Sequence, residues 1–266
     1  MSVETGVDEA ANSLLQTVRA TNSGNVRHVF EDTSKYLKRR QVDVRFRIDT
    51  VAAYAAEIEP HRILDIGCGD GSISLQLARP ERQLTLMDIS SSMVATATGN
   101  IPSEYAANVK VRHEDFAVAE FDQEPFDLIV TVGVMAHVDS PDEFLKKIKS
   151  LLRPGGSLIL EFTDAFHLVG KIGRLWGRTR EMFAPARYAT NKLSYKQVAK
   201  LLDKHRLRVV STFRYSRVPI PGFNSIVSHP KEYKFLKAFF GSSERNRNAW
   251  LGNEYIMRIS AEPDEC

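Results

Sequence analysis

The chain has 266 residues, 43% hydrophobic and 26% charged, with 36 Lys and Arg against 33 Asp and Glu. That is enough to bury a sizeable core, and it excludes a low-complexity or charge-swollen polymer. No apolar run nears the ~20 residues of a bilayer span, residues 1–11 lack the pattern of a secretion signal, and Cys68 and Cys266 make a poor disulfide framework, so a cytoplasmic location is expected.

In chain order, residues 1 to about 25 are polar with few core anchors, and helical spacing then runs over 26–40 and 42–58. This divides the chain into a helical cap, 1–59, and a larger α/β domain, 60–266. Ile63-Leu64-Asp65-Ile66 is an apolar strand that enters Gly67-Cys68-Gly69-Asp70-Gly71-Ser72 and then a helix-like pattern. Alternating glycines let the backbone turn tightly and approach a ligand without a Cβ in the way, and the next helix offers its free N–H groups. A dinucleotide fingerprint needs the spacing G-x-G-x-x-G, and Ser72 stands where the third glycine belongs. Asp65, two residues before the first glycine, would repel a pyrophosphate but suits a ligand that carries an ammonium group.

A second buried strand, 84–90, contains Asp88, 21 residues beyond Gly67, where an acid holds ribose hydroxyls in such folds. A third, 109–116, ends in Asp115 and Phe116, and a fourth, 126–132, ends at Val132. Ser140 caps the following helix and Pro141 opens it. Leu152-Arg153-Pro154-Gly155-Gly156 reads as a helix end and a turn before a fifth strand, through Leu160. A helix from Ser194 to about His205 and strands at 207–215 and 254–261 follow. The alternation of strand and helix up to Glu161 is that of a parallel sheet.

The ordered set Asp65-x-Gly67-x-Gly69-x-Gly71, Asp88, Asp115-Phe116 and Pro154-Gly155-Gly156 resembles the motifs of class I S-adenosylmethionine (SAM) methyltransferases over residues 63–160. The resemblance implies a seven-stranded, mostly parallel, doubly wound sheet with helices on both faces and a reversed hairpin as its last two strands. N-terminal helices and inserted substrate-capping segments would be added to it. It also implies SAM as cofactor, at Asp65, Gly67, Cys68, Gly69 and Gly71, with Asp88 on the ribose and Asp115 and Phe116 at the adenine. Ile89, Met93 and Val132 complete the expected lining. Tyr36 and Arg45 are candidates for the methionine carboxylate, with a surface or packing role as the alternative for each.

Two segments, 163–192 and 216–253, are extra and are expected at the carboxyl ends of the strands, where they would shape an acceptor pocket. From residue 165 to 240 there are 16 Lys and Arg against 3 Asp and Glu, although the whole chain carries only +3. A basic field of this kind concentrates anions. Residues 167–180 interleave apolar side chains, Trp176 and cations, as a lipid surface or lipid-linked anion would require. The expected acceptor is therefore a small molecule, anionic or lipid-linked, with possible peripheral membrane contact; a solvated basic face is the alternative.

Methyl transfer from a sulfonium is an in-line displacement governed by alignment, and a hydroxyl acceptor also needs a base. His137, just after the fourth strand, is the candidate base, with a structural histidine as the alternative. Asp164, His167, Tyr188 and Tyr195 are reserves. After the fourth strand there is no Asn-Pro-Pro-Tyr or Asp-Pro-Pro-Tyr box, so a nucleic-acid amine is disfavoured as acceptor. No HExxH or paired CxxC is present, so no metal site is expected. N- or C-methylation, RNA methylation and non-catalytic SAM binding stay open as alternatives to O-methylation.

Overall fold

The computed structural model describes residues 41–121, 124–169, 171, 191–217 and 227–263. The helix expected at 26–40, Tyr36, Tyr188 and most of the segment 163–192 lie outside these residues. The strands are β1 Arg62–Ile66, β2 Gln83–Asp88, β3 Val109–His113, β4 Phe126–Thr131, β5 Leu152–Thr163, β6 Leu207–Tyr215 and β7 Glu254–Ala261. They form one sheet in the order β3-β2-β1-β4-β5-β7-β6. The first five strands pair in parallel, and β7 runs antiparallel between β5 and β6, which is the reversed hairpin expected from the resemblance. Strand order reverses between β1 and β4, which makes their carboxyl ends the switch point where such sheets bind ligands.

The helices are α1 Gln41–Ile58, α2 Ser91–Gly99, α3 Pro141–Leu151, α4 Tyr195–Lys204 and α5 His229–Phe240. Period-two alternation along the strands sends successive side chains to opposite faces. Leu128 and Val130 join Ile63, Leu86 and Ile159 beneath Val42, Phe46 and Tyr54 of α1 and Leu236 and Phe240 of α5. Ile129 joins Leu64, Leu158 and Met257 on the other face, against Phe144, Leu145 and Ile148 of α3 and Val198 and Leu202 of α4. Each fully buried side chain of this size contributes ~1.5–3 kcal/mol. Phe46 also stacks on Tyr215 at 4.4 Å, which fixes α1 over the tip of β6.

Polar caps set the helix starts. Ser90, Ser140 and Ser194 accept from the backbone N–H groups of Met93, Glu143 and Gln197, and Gln197 completes a capping box on α4. The structure departs from expectation in two places. The glycine turn leads into a single 3-10 turn, Ser74–Leu77, in place of a regular helix. Pro80 explains this, because it bars the preceding Arg79 from helical backbone and leaves too little chain for several turns. Pro154-Gly155-Gly156 lies within β5 as an irregularity, the register passing from Phe126↔Leu152 to Leu128↔Ser157. A Cβ at Gly156 would sit 2.9 Å from the Arg153 carbonyl oxygen, so the strand passes only as glycine.

Candidate active site

Gly67, Gly69 and Gly71 all have positive φ, at 73°, 56° and 77°. Only glycine adopts such backbone without strain. A Cβ on Gly67 would lie 2.4 Å from Val134 Cγ2, whereas one on Gly69 would meet nothing among the described residues within 4 Å. The first glycine thus packs the turn against the loop after β4, and the second is left clear by the described residues.

Asp88, at the tip of β2, receives the Gly69 N–H on Oδ2 and the Ser90 N–H on Oδ1, each at 2.9 Å. The glycine turn therefore orients the carboxylate expected on the ribose, and each oxygen keeps a lone pair for a hydroxyl. Burial raises its pKa, against the pull of the Ser90, Gly69 and Ile89 backbone groups. Asp65 is 1% exposed, and among the described residues neither of its oxygens has a hydrogen-bond partner at bonding geometry. Burial pushes its carboxyl up to about 7, opposed by the nearby Ser74 hydroxyl and reinforced by the Asp88 charge. An anion in that state lacks a cation, and an ammonium arriving at the glycine turn supplies one. SAM fits these residues: Asp65 would face its ammonium and Asp88 would take its ribose. When bound it supplies the electrophilic methyl group. Cys68 is buried, and its thiol is pushed far above the usual range, so it is an inert part of the turn.

Ile89 is half-buried beside Asp88, Met93 is buried at the start of α2, and Val132 is buried just past β4. Asp115 lies two residues beyond β3, where its Oδ1 accepts from the Ala117 N–H at 2.9 Å. Phe116 is 7% exposed and is enclosed by Phe121, Phe144 and Lys147. Its ring belongs to the core beneath α3, and only its edge is left for the adenine expected there.

Arg45 takes the surface role given as its alternative. It is exposed on α1 and lies over the Tyr233 ring at 5.7 Å. Two residues further, nearly opposite on the helix, Arg47 is 5% exposed and faces the site. Its Nε donates to Glu161 Oε1 at 2.9 Å, and Nη2 lies 2.6 Å from Oε2. A Cβ on Gly133, the residue after Val132, would fall 3.1 Å from Nη2. The guanidinium thus lies against the backbone at the β4 tip. The buried phase of α1, with Val42, Phe46 and Tyr54, is the signal that distinguishes Arg47 from Arg45.

His137 is half-buried in the turn after β4, where its N–H donates to the Val134 carbonyl at 2.8 Å. Asn191 holds this turn from outside. Its N–H donates to the Ala136 carbonyl at 2.8 Å, and its Nδ2 donates to the carbonyls of Val138 at 2.5 Å and Met135 at 3.3 Å. Of the reserve candidates, Asp164 is buried and accepts from the N–H groups of Phe166, His167 and Tyr195, a loop-forming role. His167 Nε2 is bonded to the Trp250 carbonyl, and Tyr195 stacks on Tyr255. Among the described residues no group of His, Cys, Asp and Glu is placed to hold a metal ion.

A doubly wound sheet with a glycine turn at the switch point and an acid clamped beside it is the fold of the class I SAM-dependent methyltransferases. The chain belongs to the methyltransferase domain family, whose model matches residues 59–235. It is 32% identical over 136 residues to a ubiquinone biosynthesis O-methyltransferase of Caulobacter vibrioides, covering 50% of this chain and 52% of that one. A protein of the same name from Xanthomonas campestris is 33% identical over 159 residues, 59% of this chain and 58% of that one. The chain thus spans about half the length of the curated relatives it matches. Among solved structures, the magnesium protoporphyrin IX methyltransferase of Synechocystis, with bound SAH, superposes with a TM-score of 0.62 at 16% identity, covering 90% of this chain and 99% of that one. A possible histamine N-methyltransferase of Thermotoga maritima gives 0.61 at 19% identity, with 89% and 99% covered. At such identities the likeness is one of fold.

Proposed function

We propose that this protein transfers the methyl group of SAM to an oxygen of a small-molecule acceptor. The observation that carries the reading is the pairing of a buried Asp65, which no cation among the described residues balances, with an Asp88 already oriented by Gly69 and Ser90, at the switch point of the sheet. The ubiquinone biosynthesis O-methyltransferases among the relatives support oxygen as the receiving atom. Alignment does most of the work in such a displacement, and a near-attack geometry supplies ~7–11 kcal/mol. Arg47 and Glu161 fix the β4 tip, and Asn191 fixes the turn that carries His137.

The finer reading is an anionic or lipid-linked acceptor drawn by the basic segment between residues 165 and 240, with peripheral membrane contact, in the cytoplasm. Its support is the local excess of 16 cations over 3 acids. Calorimetry with SAH tests the cofactor. Deuterated-methyl SAM with a panel of neutral, carboxylate and prenylated phenols and alcohols, and of amines of similar size, read by mass spectrometry, tests the acceptor. Products confined to amines, or an acceptor order indifferent to charge and to salt, would overturn the oxygen and the anion readings respectively.

A further inference from the structure

The tips of β5, β7 and β6 carry ionisable side chains that the cofactor half of the site does not use. Register sets Thr163, Glu254 and Tyr215 side by side, and Glu161 lies two residues earlier on β5, facing the same side as Thr163. The tips of β1 and β2 are occupied by the glycine turn and Asp88. The tips of β4, β5 and β7 are what the sheet leaves for an acceptor, and Leu160, which precedes Glu161, pairs with Thr131 at the end of β4.

Most charges in this group are already committed. Arg47 of α1 is bonded to Glu161, which is 1% exposed. Asp43 of α1 accepts from the Tyr215 hydroxyl at 3.3 Å, and Arg217 Nη1 approaches its Oδ2 at 3.9 Å. Arg217 also pairs with Glu232 of α5. Glu254 differs from these acids. The Thr163 hydroxyl donates to its Oε2 at 2.8 Å, no cation among the described residues pairs with it, and the residue is only half-buried. A carboxylate held by one neutral donor at the acceptor end, between a strand tip and a phenol, is placed to take a proton.

We propose that Glu254 is the general base for the acceptor hydroxyl. The proposal rests on the reading of methyl transfer to oxygen. As the acceptor oxygen attacks the methyl carbon, its O–H proton passes to the Glu254 carboxylate. The S–CH3 bond breaks, and its electron pair stays on sulfur as a neutral thioether. Burial and the Glu161 charge push the Glu254 carboxyl up to about 7, aided by Asp43 and opposed by the Thr163 hydroxyl and by Arg47. A base tuned near the operating pH is both deprotonated and strong enough to accept. Glu161 is unsuited to the task, since Arg47 holds its charge and no surface is open to an acceptor.

The test uses the full chain with glutamate carboxyls labelled by carbon-13, the Glu254 resonance being assigned from Glu254→Gln. SAH affinity is measured on the same samples, and pyrocatechol serves as the phenol probe. In the SAH complex the resonance should titrate near neutrality and should move when pyrocatechol is added. With whichever phenol or alcohol of the panel yields product, Glu254→Gln should lower turnover by ~10²–10⁴-fold, remove the acidic limb of the pH profile and leave SAH affinity unchanged. Thr163→Val, which removes the donor that favours the charged form, should move that limb to higher pH. Titration in the ordinary carboxylate range, a resonance indifferent to pyrocatechol, or Glu254→Gln turnover equal to wild type would overturn the assignment. Absence of SAH binding would remove the methyltransferase reading itself, whereas SAH binding with an unresponsive Glu254 removes only the base.

Discussion

Arg47 and Glu161 form a two-pronged ion pair with side chains 6% and 2% exposed, joining α1 to β5 beside the last residues of β4. Removing one partner of such a pair strands the other charge without water and typically costs ~3–5 kcal/mol. Arg47→Met and Glu161→Gln should each lower stability in urea by about that much. The double variant Arg47→Met/Glu161→Met should recover a good part of the loss. A double-mutant cycle with no coupling would show that the pair does not hold α1 in place.

Gly67 and Gly69 separate two reasons for glycine. Gly67→Ala combines a positive φ with a Cβ 2.4 Å from Val134 Cγ2, so it should both melt early and lose SAH. Gly69→Ala meets no atom of the described residues within 4 Å, so it should cost only the ~1–2 kcal/mol of left-handed backbone while blocking the cofactor. Thermal melts set beside calorimetry distinguish the two, and full SAH affinity in Gly69→Ala would show that the ligand does not approach there.

Asp65 makes cofactor binding depend on pH. Its folded-state pKa, about 7, lies above the ordinary 3.8. The folded cofactor-free protein therefore binds more protons than the unfolded chain between those values, and this group's contribution to stability falls as pH rises through that window. A bound ammonium would lower the pKa and release the proton. SAH affinity should rise from pH 6 to pH 8, with proton release measurable by calorimetry in buffers of different ionisation enthalpy. Asp65→Asn should abolish the release and stabilise the cofactor-free protein at pH 8. A flat affinity profile in wild type would separate Asp65 from the ammonium.

Asp88 is tested by substitution. Asp88→Ala removes charge-assisted bonds worth ~1.5–3 kcal/mol, so SAH affinity should fall ten- to a hundredfold or so. Unchanged affinity would sink its assignment to the ribose.

His137 and Asn191 are tested together. If His137 acts on the acceptor, His137→Ala should reduce turnover and spare the melting temperature, whereas a structural role predicts the reverse. Asn191→Ala frees two carbonyls of the same turn, those of Met135 and Val138, and should raise the acceptor KM with little effect on SAH affinity. Identical kinetics in Asn191→Ala would mean that the turn needs no clamp.

Much of this was readable from one dimension. Apolar alternation and the acids at strand ends gave the sheet, and Ser140-Pro141 and Ser194 marked two helix starts because capping is local chemistry. The glycine turn was legible because positive φ demands glycine. The helix after it was not, since the effect of Pro80 on Arg79 competes with a favourable apolar pattern. Phe116 follows an acid in the expected position, yet the core under α3 claimed its ring. Glu161 and Glu254 carried no signal, because their meaning comes from partners such as Arg47, 114 residues away, and Thr163, 91 residues away.

The place of β7 between β5 and β6 also bears on the order in which the molecule can be assembled. Among the described strands β6 touches the sheet through β7 alone, and β7 is made after it. A chain emerging from the ribosome as far as Tyr215 has four parallel ladders to complete among β1 to β5, but nowhere to lay β6. The cofactor half can thus take shape first, while the strand edge of β5 stays bare until residues 254–261 arrive. Such an edge invites pairing with other chains, so the interval between synthesis of β6 and of β7 is when this fold is most exposed to misassembly.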